Sequence, residues 1–232
     1  MKNFAGQVVL VTGAHGNVGA AVVKELGARG ASLVCGDAAP LSQQCPDNMV
    51  AIGGLDLSDP KDVGHLVAAG QERFGRIDAL VNTIGGFRAA HVTNAALSDW
   101  DFLFSINARI ALAVSAAVIP AMAARGYGRI VHVSAGAGLR AAGGTAVYSA
   151  AKASVIRIVE AIAEEQSDHG IVCNCILPST IDTPQNRTAM PDADHGAWVT
   201  PSSIAKVAAF LASADAGGVT GAAVPVVRRH GG

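Results

Sequence analysis

The feature that most restricts this chain is a short apolar run that breaks into glycines and then into a helical pattern. Gln7-Val8-Val9-Leu10-Val11-Thr12 has the unbroken hydrophobicity of a strand buried on both faces of a parallel sheet. Gly13-Ala14-His15-Gly16-Asn17-Val18-Gly19 comes at once after it, and Ala20 to Arg29 then carries helical periodicity. In that context the glycines let backbone approach a pyrophosphate, whose charge suits the unpaired N–H groups of a helix N-terminus. An ordinary strand-to-helix turn also favours glycine, so the pattern gains its weight from the residues downstream. A second apolar run, Ser32-Leu33-Val34-Cys35-Gly36, ends at Asp37. That is about twenty residues past the turn, where a carboxylate accepts hydrogen bonds from adenosine ribose hydroxyls. Its charge would repel a 2′-phosphate, which argues for NAD over NADP.

The alternation continues. Strands are expected at Met49 to Gly53, Ala79 to Asn82, Arg129 to Ser134, Val172 to Leu177 and Ala223 to Val227, making seven with the first two. Helical patterns lie between them. One opens at Asp59-Pro60 and another at Thr200-Pro201, each a cap residue followed by proline at the first helical position. A long one runs from about Leu97 to Ala124. The pattern predicts an α/β fold: a Rossmann-type, doubly wound, parallel seven-stranded sheet with helices on both faces. No composition break, repeat or linker divides residues 1–232, so a single dinucleotide-binding domain is expected.

A net charge of −1 gives no electrostatic reason to bind nucleic acid or an anionic membrane. The run Ile110 to Ala124 contains Pro120, is too short to span a bilayer, and reads as a buried helix or a subunit interface. No signal-peptide pattern opens the sequence, and Cys35, Cys45, Cys173 and Cys175 lack metal spacing. A cytoplasmic protein with reduced thiols is expected. His15, His91, His132, His169 and His195 are scattered, so no metal is assigned; His132, between Val131 and Val133, reads as a core or interface residue.

Chemistry enters at Val147-Tyr148-Ser149-Ala150-Ala151-Lys152. Residues four apart share a helix face, which puts the Tyr148 phenol beside the Lys152 ammonium. A fixed cation lowers a phenol pKa from its usual value of about 10, making the hydroxyl usable as a general acid or base. A tyrosine that packs and a lysine that solvates would show the same spacing; the upstream pattern gives the pair its meaning.

The glycine turn, Asp37, Asn107 and Tyr148-x-x-x-Lys152 together resemble the short-chain dehydrogenase/reductase family over nearly the whole chain. The resemblance implies NAD(P)-dependent hydride transfer to or from a small carbonyl or alcohol, in a homodimer or homotetramer. The family turn T-G-x-x-x-G-x-G is matched by Thr12, Gly13 and Gly19, with Asn17 in place of the middle glycine. Asparagine tolerates positive φ better than most residues. Asp56-Leu57 matches a pair that contacts adenine, and Asn82-Thr83-Ile84-Gly85 a looser form of N-N-A-G. Pro178-Ser179-Thr180-Ile181-Asp182-Thr183 matches P-G-x-I-x-T, whose isoleucine backbone and threonine side chain hold the nicotinamide carboxamide. His15 and Val18 join the turn residues as implied cofactor contacts. By the same resemblance Tyr148 moves the substrate proton, Lys152 binds the nicotinamide ribose, and Asn107 holds a water linking Lys152 to solvent.

One departure concerns the reaction itself. Relatives carry a serine thirteen residues before the tyrosine, the place of Ala135 here, while Ser134 lies one residue earlier. Ser134 is expected to act as a partial substitute, turned inward by a twist at the strand end. The segment from Leu177 to Arg187, continuing through Met190-Pro191-Asp192 and Trp198-Val199-Thr200-Pro201, resembles dihydropteridine reductases, as does the ending Val226-Val227-Arg228-Arg229. The resemblance therefore leaves three readings: a general NAD-dependent reductase, a dihydropteridine reductase, and a catalytically silent dinucleotide-binding protein. The stretch from Gln185 to Val199, with Arg187 and Trp198, reads as a lid or as a surface loop whose tryptophan packs.

Overall fold

Val8–Thr12 (β1) is buried along its whole length, as a strand covered on both faces must be. Val8 and Leu10 enter one hydrophobic layer, Val9 and Val11 the other. The computed structural model describes residues 3–42 and 44–228; Arg229, part of the chain-end resemblance, lies outside them.

The remaining strands are Ser32–Gly36 (β2), Met49–Ile52 (β3), Ala79–Asn82 (β4), Gly128–Val133 (β5), Ile171–Pro178 (β6) and Ala223–Val226 (β7). All pair in parallel, in the order β3-β2-β1-β4-β5-β6-β7. The order reverses direction between β1 and β4, and the crevice at the carboxyl ends of these strands is where such sheets bind ligands. The helices are Asn17–Ala28 (α1), Pro60–Phe74 (α2), Leu97–Phe104 (α3), Ile110–Arg125 (α4), Ala146–Glu165 (α5), Pro184–Ala189 (α6) and Pro201–Leu211 (α7). One layer packs Leu66, Val114, Val118, Ile156 and Val159 from α2, α4 and α5. The other packs Val22, Leu26, Ile204 and Ala208 from α1 and α7. The expected doubly wound architecture is the observed one.

The expected caps form: Asp59 accepts from Lys61 N at the start of α2, and Thr200 accepts from Ser203 N at the start of α7. One expectation needs correction and two are sharpened. First, α1 begins at Asn17, three residues earlier than its apolar pattern suggested, so Asn17 is helical. No non-glycine residue among those described has positive φ, and the left-handed position in the turn is Gly13, at +75°. Asparagine's tolerance of that conformation is therefore unused. Second, the long helix expected from about Leu97 to Ala124 forms, with α3 and α4 joined through a π-type turn, Ser105–Arg109, into one 29-residue stretch. The whole stretch is long and apolar enough to cross a membrane, as core helices of globular proteins also can be, while Ile110 to Ala124 by itself forms the expected buried helix. Here it lies along the sheet with Ile110, Ala111, Val114, Val118 and Met122 buried. Third, the loop tryptophan packs: Trp198 is buried against the His195 ring, 4.4 Å away.

Candidate active site

The turn after β1 is shaped by contacts no larger residue could make. A Cβ on Gly19 would stand 1.9 Å from Gly13 O, so α1 can dock against the turn only through glycine. Gly16 caps α1 with no side-chain bond, leaving the first-turn amides of Asn17, Val18 and Gly19 without a protein cap. Gly16 to Gly19 line a cleft of about 610 Å³. Uncapped amides, a helix dipole and glycine-thin walls fit a pyrophosphate. Asp37 follows β2 and lies outside the lining of this cleft, its carboxylate accepting from His15 N in the turn (2.8 Å) and from Ala39 N (2.9 Å). Each oxygen keeps a lone pair for a ribose hydroxyl.

Beneath the turn runs a buried polar chain. Thr12 Oγ1 donates to Asn82 Oδ1 (2.7 Å), and Asn82 Nδ2 donates to His132 Nδ1 (3.2 Å). His132 must then carry its proton on Nε2, which donates to Ser115 Oγ (2.9 Å); Ser115 donates to Ala111 O (2.8 Å). Burial and the nearby Lys152 charge push the His132 imidazole down to about 4. Thr83 Oγ1 ties the β4 loop to Thr12 O (2.8 Å), and Ile84 N donates to Asn82 Oδ1 (3.3 Å). Asn82 is thus a buried brace rather than a cleft wall. Leu57 is likewise turned into the core, only 2% exposed, while its neighbour Asp56 stays in solvent with Ser58 on one carboxylate oxygen.

Tyr148 and Lys152 lie on the cleft side of α5, one turn apart, as their spacing predicted. Their electrostatics differ from the expectation. Burial pushes the Tyr148 phenol up to about 12 and the Lys152 ammonium down to about 8. Desolvation, which disfavours the charged form of each group, dominates both shifts. Lys152 Nζ donates to Val133 O (3.0 Å). Asn107 sits in the π turn, where its Nδ2 donates to Gly86 O and Leu103 O and its Oδ1 accepts from Gly86 N. Lys152 Nζ and Asn107 Oδ1 both come within 3 Å of where a Cβ on Gly85 would stand, at 2.8 and 2.9 Å, so Gly85 lets them converge.

Ser134 corrects the remaining catalytic expectation. Its amide continues the ladder to Ile176 O, and its hydroxyl donates to Lys152 O (2.8 Å). The Ser134 proton is therefore committed to α5, although Ser134 and Ala135 both line the cleft. Pro178, Ile181 and Thr183 line the opposite wall. Thr183 also caps α6, accepting from Asn186 N (3.2 Å). Sequence reasoning missed Phe87, whose ring meets Tyr148 edge-on at 4.8 Å, and Met190, which reaches the cleft from the loop after α6. A lone aromatic after Gly85-Gly86 and a methionine in a polar loop carry no pattern that marks them. Among the described residues no group of three or more metal-ligating side chains assembles.

The short chain dehydrogenase family model matches residues 7–194. The chain is 30% identical over 231 residues to the 3-oxoacyl-[acyl-carrier-protein] reductase of Escherichia coli, covering 94% of this chain and 95% of that one. The levodione reductase crystal structure superposes with a TM-score of 0.88 at 28% identity, covering 97% of each chain. That of 3-ketoacyl-(acyl-carrier-protein) reductase from Brucella melitensis complexed with NADH gives 0.86 at 26%, covering 96% of this chain and 97% of the other. These comparisons do not show the narrower dihydropteridine reductase resemblance, and they favour an oxidoreductase over a silent binding protein. With the glycine turn, the uncapped α1 amides and the Tyr148–Lys152 pair in one cleft, the chain belongs to the short-chain dehydrogenase family and is a nicotinamide-dependent oxidoreductase.

Proposed function

We propose that the cleft takes NAD(H) in preference to NADP(H) and interconverts a small uncharged carbonyl compound with its alcohol. The observation that carries this reading is Tyr148 and Lys152 facing the same cleft as the uncapped amides of α1. Among the described residues lining that cleft these two are the sole titratable side chains, so with Lys152 engaged by the ribose no charged group remains there to pair with a charged substrate. Phe87 and Met190 add apolar surface at its mouth. When bound, the nicotinamide supplies or accepts the hydride. Tyr148, protonated at neutral pH, gives its proton to the carbonyl oxygen as the carbon is reduced. In the alcohol direction the phenol must first lose that proton. Lys152 holds the ribose and a positive charge beside the oxygen, and Asn107 keeps the β4 loop in place for a water that returns the proton.

Asp37, fixed by two amides, supports the cofactor preference, because a second negative charge there costs more than the ribose bonds it replaces. A charge-assisted bond is worth about 1.5–3 kcal/mol, enough for a tenfold preference. The exposed Leu112 on α4 supports assembly into a homodimer or homotetramer, which light scattering would read directly. The free Cys35, Cys45, Cys173 and Cys175 support a cytoplasmic enzyme, and the net charge of −1 supports the absence of nucleic-acid or anionic-membrane partners. The test is fluorescence titration with NADH and NADPH, then NADH oxidation with cyclic ketones, a quinonoid pterin and a carboxylated ketone. Tighter NADH binding with turnover of the uncharged ketones is expected. Binding of neither nucleotide, or turnover of the carboxylated ketone alone, would reject the reading.

A further inference from the structure

The cleft has a second wall, and one side-chain bond joins it to the first. Asn17, the first residue of α1, projects an exposed amide whose Nδ2 donates to Gln185 Oε1 at 3.0 Å, across 168 positions of sequence. Gln185 is the second residue of α6. The rest of that wall is bonded to itself. Asn186 Nδ2 donates to Ile181 O (2.8 Å), Arg187 grips Asp182 through two bonds (2.6 and 2.9 Å), and Ile181 bridges to Val199. Among the described side-chain hydrogen bonds, Asn17–Gln185 is the one that ties α6 to α1. Glycine at position 17 could not make it.

The bond lies beside the amides that fit a pyrophosphate, with Asn17 and Asn186 both lining the cleft. We infer that Asn17 and Gln185 are positioning residues forming a strap across the bound dinucleotide, and that breaking the strap sets how fast the cofactor leaves. The inference rests on the dinucleotide reading of the cleft. Asn17 therefore has two tasks: its backbone N–H faces the anion, and its side chain holds the facing wall closed. The pre-bonded wall matters here, because α6 need not order itself each time the strap forms.

The test is stopped-flow release of NADH from the full chain as wild type, Asn17→Gly, Gln185→Ala and the double variant. One exposed hydrogen bond corresponds to release about three- to tenfold faster in each single variant. The double variant should be no faster than either single one, because both remove the same bond. If release limits turnover, kcat and KM for NADH should rise together. Additive effects, or unchanged release in both single variants, would overturn the strap alone. Failure of the wild type to bind NADH would overturn the strap and the proposed function together.

Discussion

The two walls of the cleft are built by opposite means. The glycine wall is made of backbone: a left-handed Gly13, a contact only Gly19 permits, and a floor of buried polar groups from Thr12 to Ser115. The α6 wall is made of exposed side chains bonded to their own neighbours, with Arg187 and Asp182 in solvent. Buried, mutually braced backbone tolerates almost no change. Solvent-facing side-chain bonds contribute little each and can be exchanged. The same molecule thus pairs a fixed glycine wall with a replaceable α6 wall.

The largest expected effect tests whether the chemistry depends on either wall. Tyr148→Phe should lower turnover by about 10²–10⁴ while NADH affinity stays nearly constant, since it removes one proton donor and little packing. Retained activity would mean that another group moves the proton. Next comes the glycine wall: Gly19→Ala drives a methyl group into Gly13 O and should weaken NADH binding more than tenfold, with a loss of about 1–3 kcal/mol in urea unfolding. A freely tolerated alanine would show that the wall can yield.

The floor should reveal itself through pH. His132 is held down to about 4, below its unfolded value of about 6.5, so the unfolded chain binds the extra proton first. Its contribution is fully present above pH 6.5 and lost as pH falls toward 4, about 2 kcal/mol of it by pH 5. Urea unfolding at pH 7 and pH 5 should show that slope in the wild type and a shallower one in His132→Gln. Equal slopes would mean that His132 does not set the acid sensitivity. Smallest of all, Arg187→Ala should leave the melting temperature unmoved; a large drop would mean the α6 wall is as fixed as the other.

Legibility in the sequence divides along the same line. The strand, turn and first helix announce themselves because the backbone of the turn needs glycine at Gly13 and Gly19 between two apolar patterns. Asp59-Pro60 and Thr200-Pro201 were legible because capping is local. That the Leu57 and Asn82 side chains turn into the core was not legible, because only tertiary packing decides it. The direction of the Tyr148 shift was misjudged because spacing reports the neighbouring cation but not the desolvation. Ser134 depended on whether the ladder continues one residue past β5, and the bond from its amide to Ile176 O shows that it does.

The π turn at Ser105–Arg109 bears on how this chain tolerates insertion and loss. A π turn is an α-helix holding one residue too many, and deleting that residue would let the regular ladder close. The shorter helix would gain more favourable hydrogen bonding. It would also rotate everything before the deletion by about 100° relative to everything after it. Asn107 would swing away from Gly86, and α3 would present a different face to α5. The extra residue is a small, permanent defect whose repair would make a sturdier protein without a working centre.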